Sequence, residues 1–161
     1  MKKSPESLAA KKVLVVDDDD ALRNALKVVL ESCGYLVTTA ANGKLAEHLI
    51  SLESFDCVVS TFTLCTIPDP IAALQQMRRV LKPGGKLYFA EHGLSPDPKV
   101  QRWQHRMNGF NNRFFGGCNA NRDIRKLVSQ AGFSFDQVDQ YYMQGGPKFA
   151  TYMTRGVASA A

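Results

Sequence analysis

Short apolar runs alternate along this chain with longer stretches in which apolar residues recur every three or four positions. Val13-Leu14-Val15-Val16 is a continuous apolar run, the pattern of a strand buried on both faces, and it delivers Asp17 to Asp20 at its carboxyl end. From Ala21 to Cys33 the positions Leu22, Leu26, Val29 and Leu30 follow the helical period, with Asp19 or Asp20 as cap and Gly34 as stop. Tyr35 to Ala40 predicts a second strand. Asn42-Gly43 then opens a helix whose apolar face is Leu45, Ala46, Leu49 and Ile50. Phe55 to Ser60 is apolar save for Asp56 and predicts the central strand of the sheet.

Beyond Leu64, Asp69-Pro70 marks a helix start, the aspartate capping and the proline in the first turn, where its missing N–H costs nothing. Ile71, Leu74, Met77, Val80 and Leu81 form its apolar face, and Pro83-Gly84-Gly85 is read as its stop. Lys86 to Glu91 predicts a fourth strand. Two helices follow, from Asp97-Pro98 to about Met107 and from about Asn121 to Ala131, with Asn108 to Asn119 read as an irregular loop. Phe133 to Met143 and Lys148 to Val157 predict a closing antiparallel pair joined through Gln144 to Pro147.

Strand and helix alternating up to Glu91 require parallel strands with right-handed crossovers, hence a three-layer α/β/α sandwich. Residues 1–11 are read as a flexible arm and 12–161 as a single domain. In such folds ligands bind at the carboxyl ends of the strands, which directs attention to Asp17 to Asp20, Thr39 to Asn42, Thr61 to Thr66 and Glu91 to Leu94.

Composition changes this picture little. A hydrophobic fraction of 45% and a charged fraction of 22% are globular values, and a net charge of +5 reads as a solvated surface. Cys33, Cys57, Cys65 and Cys118 have no metal-motif spacing and read as reduced thiols of a cytoplasmic protein. No apolar run is long enough for a membrane span. Arg102, Arg106, Arg113, Arg122, Arg125 and Lys126 lie among Trp103, Phe110, Phe114 and Phe115, a nucleic-acid signature ranked behind an edge-covering role; no partner is expected. His48 and His105 read as surface residues.

The stretch from Lys12 to Ser60 resembles the first half of a response-regulator receiver, a flavodoxin-like fold. The residues that carry it are Val13 to Asp19, Leu22-Arg23, Gly34-Tyr35, Asn42-Gly43 and Phe55-Asp56. The resemblance implies that Asp17 and Asp18 are magnesium candidates. It also puts Thr61 where receivers carry a phosphoryl-accepting aspartate, which excludes an acyl phosphate. The plainer reading of Asp17 to Asp20 is a solvated helix cap.

From Asp56 to Val157 the chain resembles the carboxyl-terminal part of a class I S-adenosylmethionine-dependent methyltransferase, a Rossmann-like fold. The carrying motifs are Thr63-Leu64-Cys65, Arg78 to Phe89 around Pro83-Gly84-Gly85, Glu91-His92, Trp103 and Gly117-Cys118-Asn119. That resemblance implies sheet order 2-1-3-4-6-5 with the last strand antiparallel, and a vestigial pocket rim of Thr61, Thr63, Leu64, Cys65, Glu91 and His92. The family's glycine-rich turn is replaced by Asp17 to Asp20, and the second strand ends without the acidic residue that holds a ribose. Together the resemblances lead to the expectation of a chimera, engineered or recombined, with a receiver-like part at 12–54 and a methyltransferase-like part at 55–157. It would have no catalytic residues, no native activity and no cofactor, S-adenosylmethionine or magnesium being marginal. The alternatives are a divergent methyltransferase and a non-phosphorylatable receiver acting as a binding module.

Overall fold

Each apolar run becomes a strand in the computed structural model, which describes residues 11–17, 19–50, 54–114 and 116–160; up to residue 10 the expected arm lies outside them. The elements are β1 (Lys12–Val16), α1 (Asp20–Ser32), β2 (Leu36–Ala40), α2 (Gly43–Ile50), β3 (Phe55–Thr61), α3 (Pro70–Val80) and β4 (Leu81–His92). They continue with α4 (Pro98–Phe114), α5 (Ile124–Gln130), β5 (Phe133–Tyr142), α6 (Lys148–Thr151) and β6 (Tyr152–Ala160). The sheet order is β2-β1-β3-β4-β6-β5, as expected. The pairs from β2 to β4 are parallel, and β6 runs antiparallel to both β4 and β5.

Alternate residues of a strand face opposite sides of a sheet, and the two cores divide accordingly. Val13, Val15 and Cys57 meet Leu26 and Leu30 of α1 on one face. Leu14, Val58 and Leu87 meet Leu74 of α3 and Ile124 and Val128 of α5 on the other. Asp56 locks the start of the central strand to both neighbours: its Oδ2 accepts the Lys12 N–H at 2.7 Å and the Lys82 ammonium at 2.9 Å. The Lys82 bond, with the Lys12 bond behind it, holds the Asp56 carboxyl below the usual carboxylate range.

The local structure departs from expectation in four places. The α1 stripe is only half covered, with Leu22 44% and Val29 58% exposed, because the helix meets the sheet along Leu26 and Leu30 alone. The third helix ends at Val80, and Pro83-Gly84-Gly85 lies inside β4 instead of closing the helix. A Cβ at Gly85 would stand 2.9 Å from the Lys82 carbonyl oxygen of its own strand and 3.1 Å from the Asp56 carbonyl oxygen of β3, so the turn of the strand against its neighbour requires glycine there. Asn108 to Phe114 is helical, extending α4 through most of the expected loop. Asn108 and Asn112 each donate to Asn119 Oδ1 at 3.1 Å, partners distant in sequence that replace the local bonds by which asparagine competes with a helix. Finally, Lys148 to Thr151 forms one helical turn before β6 begins. Among the described residues, no helix is long and apolar enough to cross a membrane.

Candidate active site

The connections from β1 and from β3 leave in opposite directions, β1 to β2 on one side and β3 to β4 on the other, so the carboxyl ends of β1 and β3 flank the switch point of the sheet. On the β1 side the aspartates turn back upon the backbone. Asp17 Oδ1 accepts the Asp19 N–H at 2.8 Å, and Asp19 Oδ1 accepts the N–H groups of Ala21 at 2.8 Å and Leu22 at 3.0 Å, capping α1. Arg23 donates to the Asp17 carbonyl oxygen at 2.7 Å and pairs with Asp20. Of the two magnesium candidates, Asp17 is thus engaged with its own turn, and Asp18 lies outside the described residues. At the end of β2, Ala40 is buried, and Asn42 accepts the Leu45 N–H at 2.9 Å as the cap of α2. Beneath the switch point a cavity of about 380 Å³ is lined by Val16, Ser60 and Thr63 from the sheet side and by Ala46, Ala72 and Met77 from α2 and α3.

On the β3 side one buried carboxylate organises the loop. Glu91, expected on the rim, is fully buried. Its Oε1 accepts the Ser60 hydroxyl at 2.9 Å and the Thr63 N–H at 3.1 Å, and its Oε2 accepts the Cys65 N–H at 3.2 Å. Burial raises its pKa, against those hydrogen bonds. Thr61 closes the turn by accepting the Thr63 hydroxyl at 3.0 Å, while Leu64 is core rather than rim. Between them Phe62 sits at φ 51°, a left-handed conformation unfavourable for a bulky side chain, with its ring 4.9 Å from that of His92.

The sequence pattern alone does not bring Cys118 to this place. Its Sγ lies 3.4 Å from His92 Nδ1, and the Cys65, Cys118 and His92 ligand atoms all fall within 4.8 Å of one another. The loop that carries Cys118 is pinned to the loop that carries Cys65. Asn119 donates to the Cys65 carbonyl oxygen from its N–H at 2.7 Å and its amide at 3.2 Å, and Arg122 donates to the carbonyls of Leu64 and Ile67, both at 2.7 Å. A hydrogen bond from the Cys65 thiol to Cys118 pulls the Cys118 pKa down and, with burial, pushes that of Cys65 up, so Cys118 is the readier thiolate. Sequence reasoning noted Gly117-Cys118-Asn119 as a motif yet omitted Cys118, Asn119, Ser60 and Arg122 from the site. Proximity across 26 or more positions was the missing signal.

Of the arginine and aromatic cluster, Arg102, Trp103, Arg106, Phe110, Arg113 and Phe114 are exposed on α4, Arg122 serves the loops, and Phe115 lies outside the described residues.

Comparison with known proteins places this geometry. The family profile of a methyltransferase domain matches residues 7–138. The match runs unbroken across Phe55 to Ser60, which overturns the expected joint there: the first third is no receiver fragment, and the chain reads as one methyltransferase domain. Its short β1 run and first helix are features that two families of parallel α/β fold share, and the acidic turn between them tipped the reading toward a receiver. Among curated relatives, the thiol S-methyltransferase TMT1B of Rattus norvegicus is 37% identical over 88 residues, covering 54% of this chain and 36% of that protein. The arsenite methyltransferase of Mus musculus is 48% identical over 90 residues, covering 56% of this chain and 23% of that protein. The chain thus spans about a third or less of the length of these relatives. A methyltransferase structure from Methanosarcina mazei, described as SAM-dependent, superposes with a TM-score of 0.64 at 19% identity, covering 93% of this chain and 92% of that one. The N-methyltransferase NodS of Bradyrhizobium japonicum, in complex with S-adenosyl-L-homocysteine, superposes with a TM-score of 0.55 at 14% identity, covering 92% of this chain and 66% of that one.

Proposed function

Because the chain belongs to the methyltransferase-domain family, we propose that it is an enzyme transferring a methyl group from S-adenosylmethionine to a thiol. Family membership corrects the expectation of a non-catalytic recombined scaffold, and the relatives named above correct the expectation of no cofactor. The physical error lay in the charge count. Asp17 to Asp20 replace the family's glycine-rich turn, but the donor carries a sulfonium and an ammonium as well as a carboxylate, and Asp17 and Asp19 are satisfied by backbone N–H groups instead of repelling one another.

The switch point fits such a donor in volume and charge. The cavity of about 380 Å³ lies within the range of small-molecule sites. Half-buried Asp17, which follows the cavity-lining Val16 in the chain, suits a cationic group, and the apolar walls of Val16, Ala46 and Met77 suit an adenosyl group. The end of β2, with Ala40, Ala41 and Asn42, offers a ribose no carboxylate, and Asn42 is spent on capping α2, so Glu47 of α2 and Gln76 of α3 are the long polar side chains that line the cavity. When bound, the donor supplies an electrophilic methyl on sulfur, which a thiolate takes by displacement while the departing thioether keeps the bonding pair.

The observation that carries the reading is the Glu91 clamp. By holding Ser60 and the N–H groups of Thr63 and Cys65, it fixes the loop between the cavity and the soft, polar rim of Cys65, His92 and Cys118. A preorganised rim spends no free energy on ordering when an acceptor arrives. All four cysteines are free, which supports placing the protein in a reducing compartment such as the cytoplasm. The test is incubation of the purified chain with S-adenosylmethionine and a small alkyl thiol, reading S-adenosylhomocysteine and the S-methyl product. Turnover with the thiol and none with an alcohol of the same size is expected. Absence of both turnover and calorimetric S-adenosylhomocysteine binding would overturn the reading.

A further inference from the structure

Three side chains that attract soft cations converge beside the proposed acceptor path from three separate segments: Cys65 from the β3–α3 loop, His92 from the end of β4, and Cys118 from the loop before α5. We propose that Cys65, Cys118 and His92 form a binding site for a thiophilic divalent cation of the zinc class, with a fourth position open to a thiol.

The geometry is close to what such an ion requires. Zinc–sulfur bonds of about 2.3 Å and zinc–nitrogen bonds of about 2.0–2.1 Å at tetrahedral angles set a sulfur-to-nitrogen edge of about 3.5 Å and a sulfur-to-sulfur edge of about 3.8 Å. The Cys118 Sγ to His92 Nδ1 separation is 3.4 Å, and the three ligand atoms all lie within 4.8 Å of one another. The surroundings match the outer partners that orient metal ligands. Asn119 binds the Cys65 carbonyl twice, Arg122 holds the same loop, and the Phe62 ring walls the imidazole. Cys65 is 1% exposed and forms the floor, whereas Cys118 and His92 are half-buried, which leaves one side of the cluster open. Glu91, buried behind the floor, accepts the Cys65 N–H and fixes its backbone.

Two thiolates, one imidazole and an open position make the donor set of a catalytic rather than a structural site, since a structural ion takes four protein ligands. The part concerning the fourth ligand rests on the thiol-methyltransferase reading. An alkyl thiol entering that position forms a metal–sulfur bond and releases its proton to solvent, so that it meets the methyl donor as a thiolate.

The test is a Co²⁺ titration of the full chain, reduced and under anaerobic conditions. One equivalent is expected to give the intense visible bands of four-coordinate cobalt and a sulfur-to-cobalt charge-transfer band. Cys118→Ser and His92→Ala should each weaken binding by at least about tenfold, while Cys33→Ser, on the far end of α1, leaves it unchanged. A measurement on the unaltered protein covers variants that fail to fold: Zn²⁺ should slow alkylation of Cys118 and leave that of Cys33 alone. Absence of a one-to-one complex, a six-coordinate spectrum, or binding that survives Cys118→Ser would overturn the site. Addition of the alkyl thiol should shift the charge-transfer band at one thiol per cobalt, and no shift would overturn the open position. Metal binding without methyl transfer would sink the proposed function and leave this site standing; methyl transfer with no metal bound would do the reverse.

Discussion

At the scale of single residues, Glu91 decides more than any other side chain, because it is a buried acid that fixes a loop through its acceptor oxygens. Glu91→Gln keeps the shape but turns an amide N–H₂ toward a group that needs an acceptor. The Cys65 or the Thr63 N–H is then left unpaired, and a loss of about 1–3 kcal/mol is expected at neutral pH in urea unfolding. The pH dependence has a definite sign. Burial raises the folded-state pKa of Glu91, so the folded protein retains a proton that the unfolded chain has released. Its stabilising contribution is complete below the ordinary carboxylate range and declines as pH rises through the raised value. The stability difference between the native protein and Glu91→Gln is therefore expected to be largest in acid and to shrink as pH rises from the ordinary carboxylate range through the raised value. Asp56 and Asp136, whose pKa values are lowered by Lys82 and Lys86, are common to both proteins and cancel. An unchanged difference across that range would place the Glu91 carboxylate in a wetter site than the structure gives it.

Elements are set by their ends and by close approaches as much as by their apolar faces. Asp69 caps α3 by accepting the Ala72 N–H at 2.9 Å, with Pro70 in the first turn, as the sequence pattern predicted. Asp69→Ala should cost about 1 kcal/mol of stability, read as a lowered urea midpoint at unchanged slope. A second contact was not legible. Gly156 in β6 pairs with Phe89 and Val138, and a Cβ there would stand 2.5 Å from the Gln137 carbonyl oxygen and 2.9 Å from the Phe89 ring. Gly156→Ala is expected to destabilise by about 1–3 kcal/mol through overpacking. A neutral result would show that β5 and β6 yield at that point. The helical extension through Asn108 and Asn112 belongs to the same scale: the amides are poor helix formers alone, and Asn119, in the loop beyond the helix, supplies their partner.

For the whole molecule, the sheet order leaves a crevice at the ends of β1 and β3, and a ligand that occupies it in the folded state alone must stabilise the fold. S-adenosylhomocysteine at about a hundred times its Kd should raise the unfolding free energy by about 2.7 kcal/mol, seen as a higher Tm that depends on ligand concentration. Asp17→Ala should reduce that shift while barely moving the Tm of the free protein, since Asp17 accepts one exposed backbone N–H. A thermal shift unaffected by Asp17→Ala would move the donor away from the β1 turn.

Apolar periodicity, helix caps and glycine stops are local properties, and they determined the strands, most of the helices and, through the handedness of crossovers, a parallel α/β sheet. The motif-based resemblance added the antiparallel last strand. The chemistry was not local. Val13 to Asp20 satisfies the same strand-and-cap rules in a receiver as in a methyltransferase, so the sequence pattern left the two halves looking like different proteins. Glu91 read as a rim acid because nothing near it in sequence foretells Ser60, Thr63 and Cys65 closing over it. Cys65, His92 and Cys118 read as unrelated thiols and an imidazole because their spacing matches no metal motif. Only the parallel packing of β3 against β4, with Asn119 and Arg122 tying the later loop to the earlier one, brings their ligand atoms within 4.8 Å of one another. Strand pairing and loop docking are long-range contacts whose free energy depends on the assembled sheet, and the tertiary structure alone decides them.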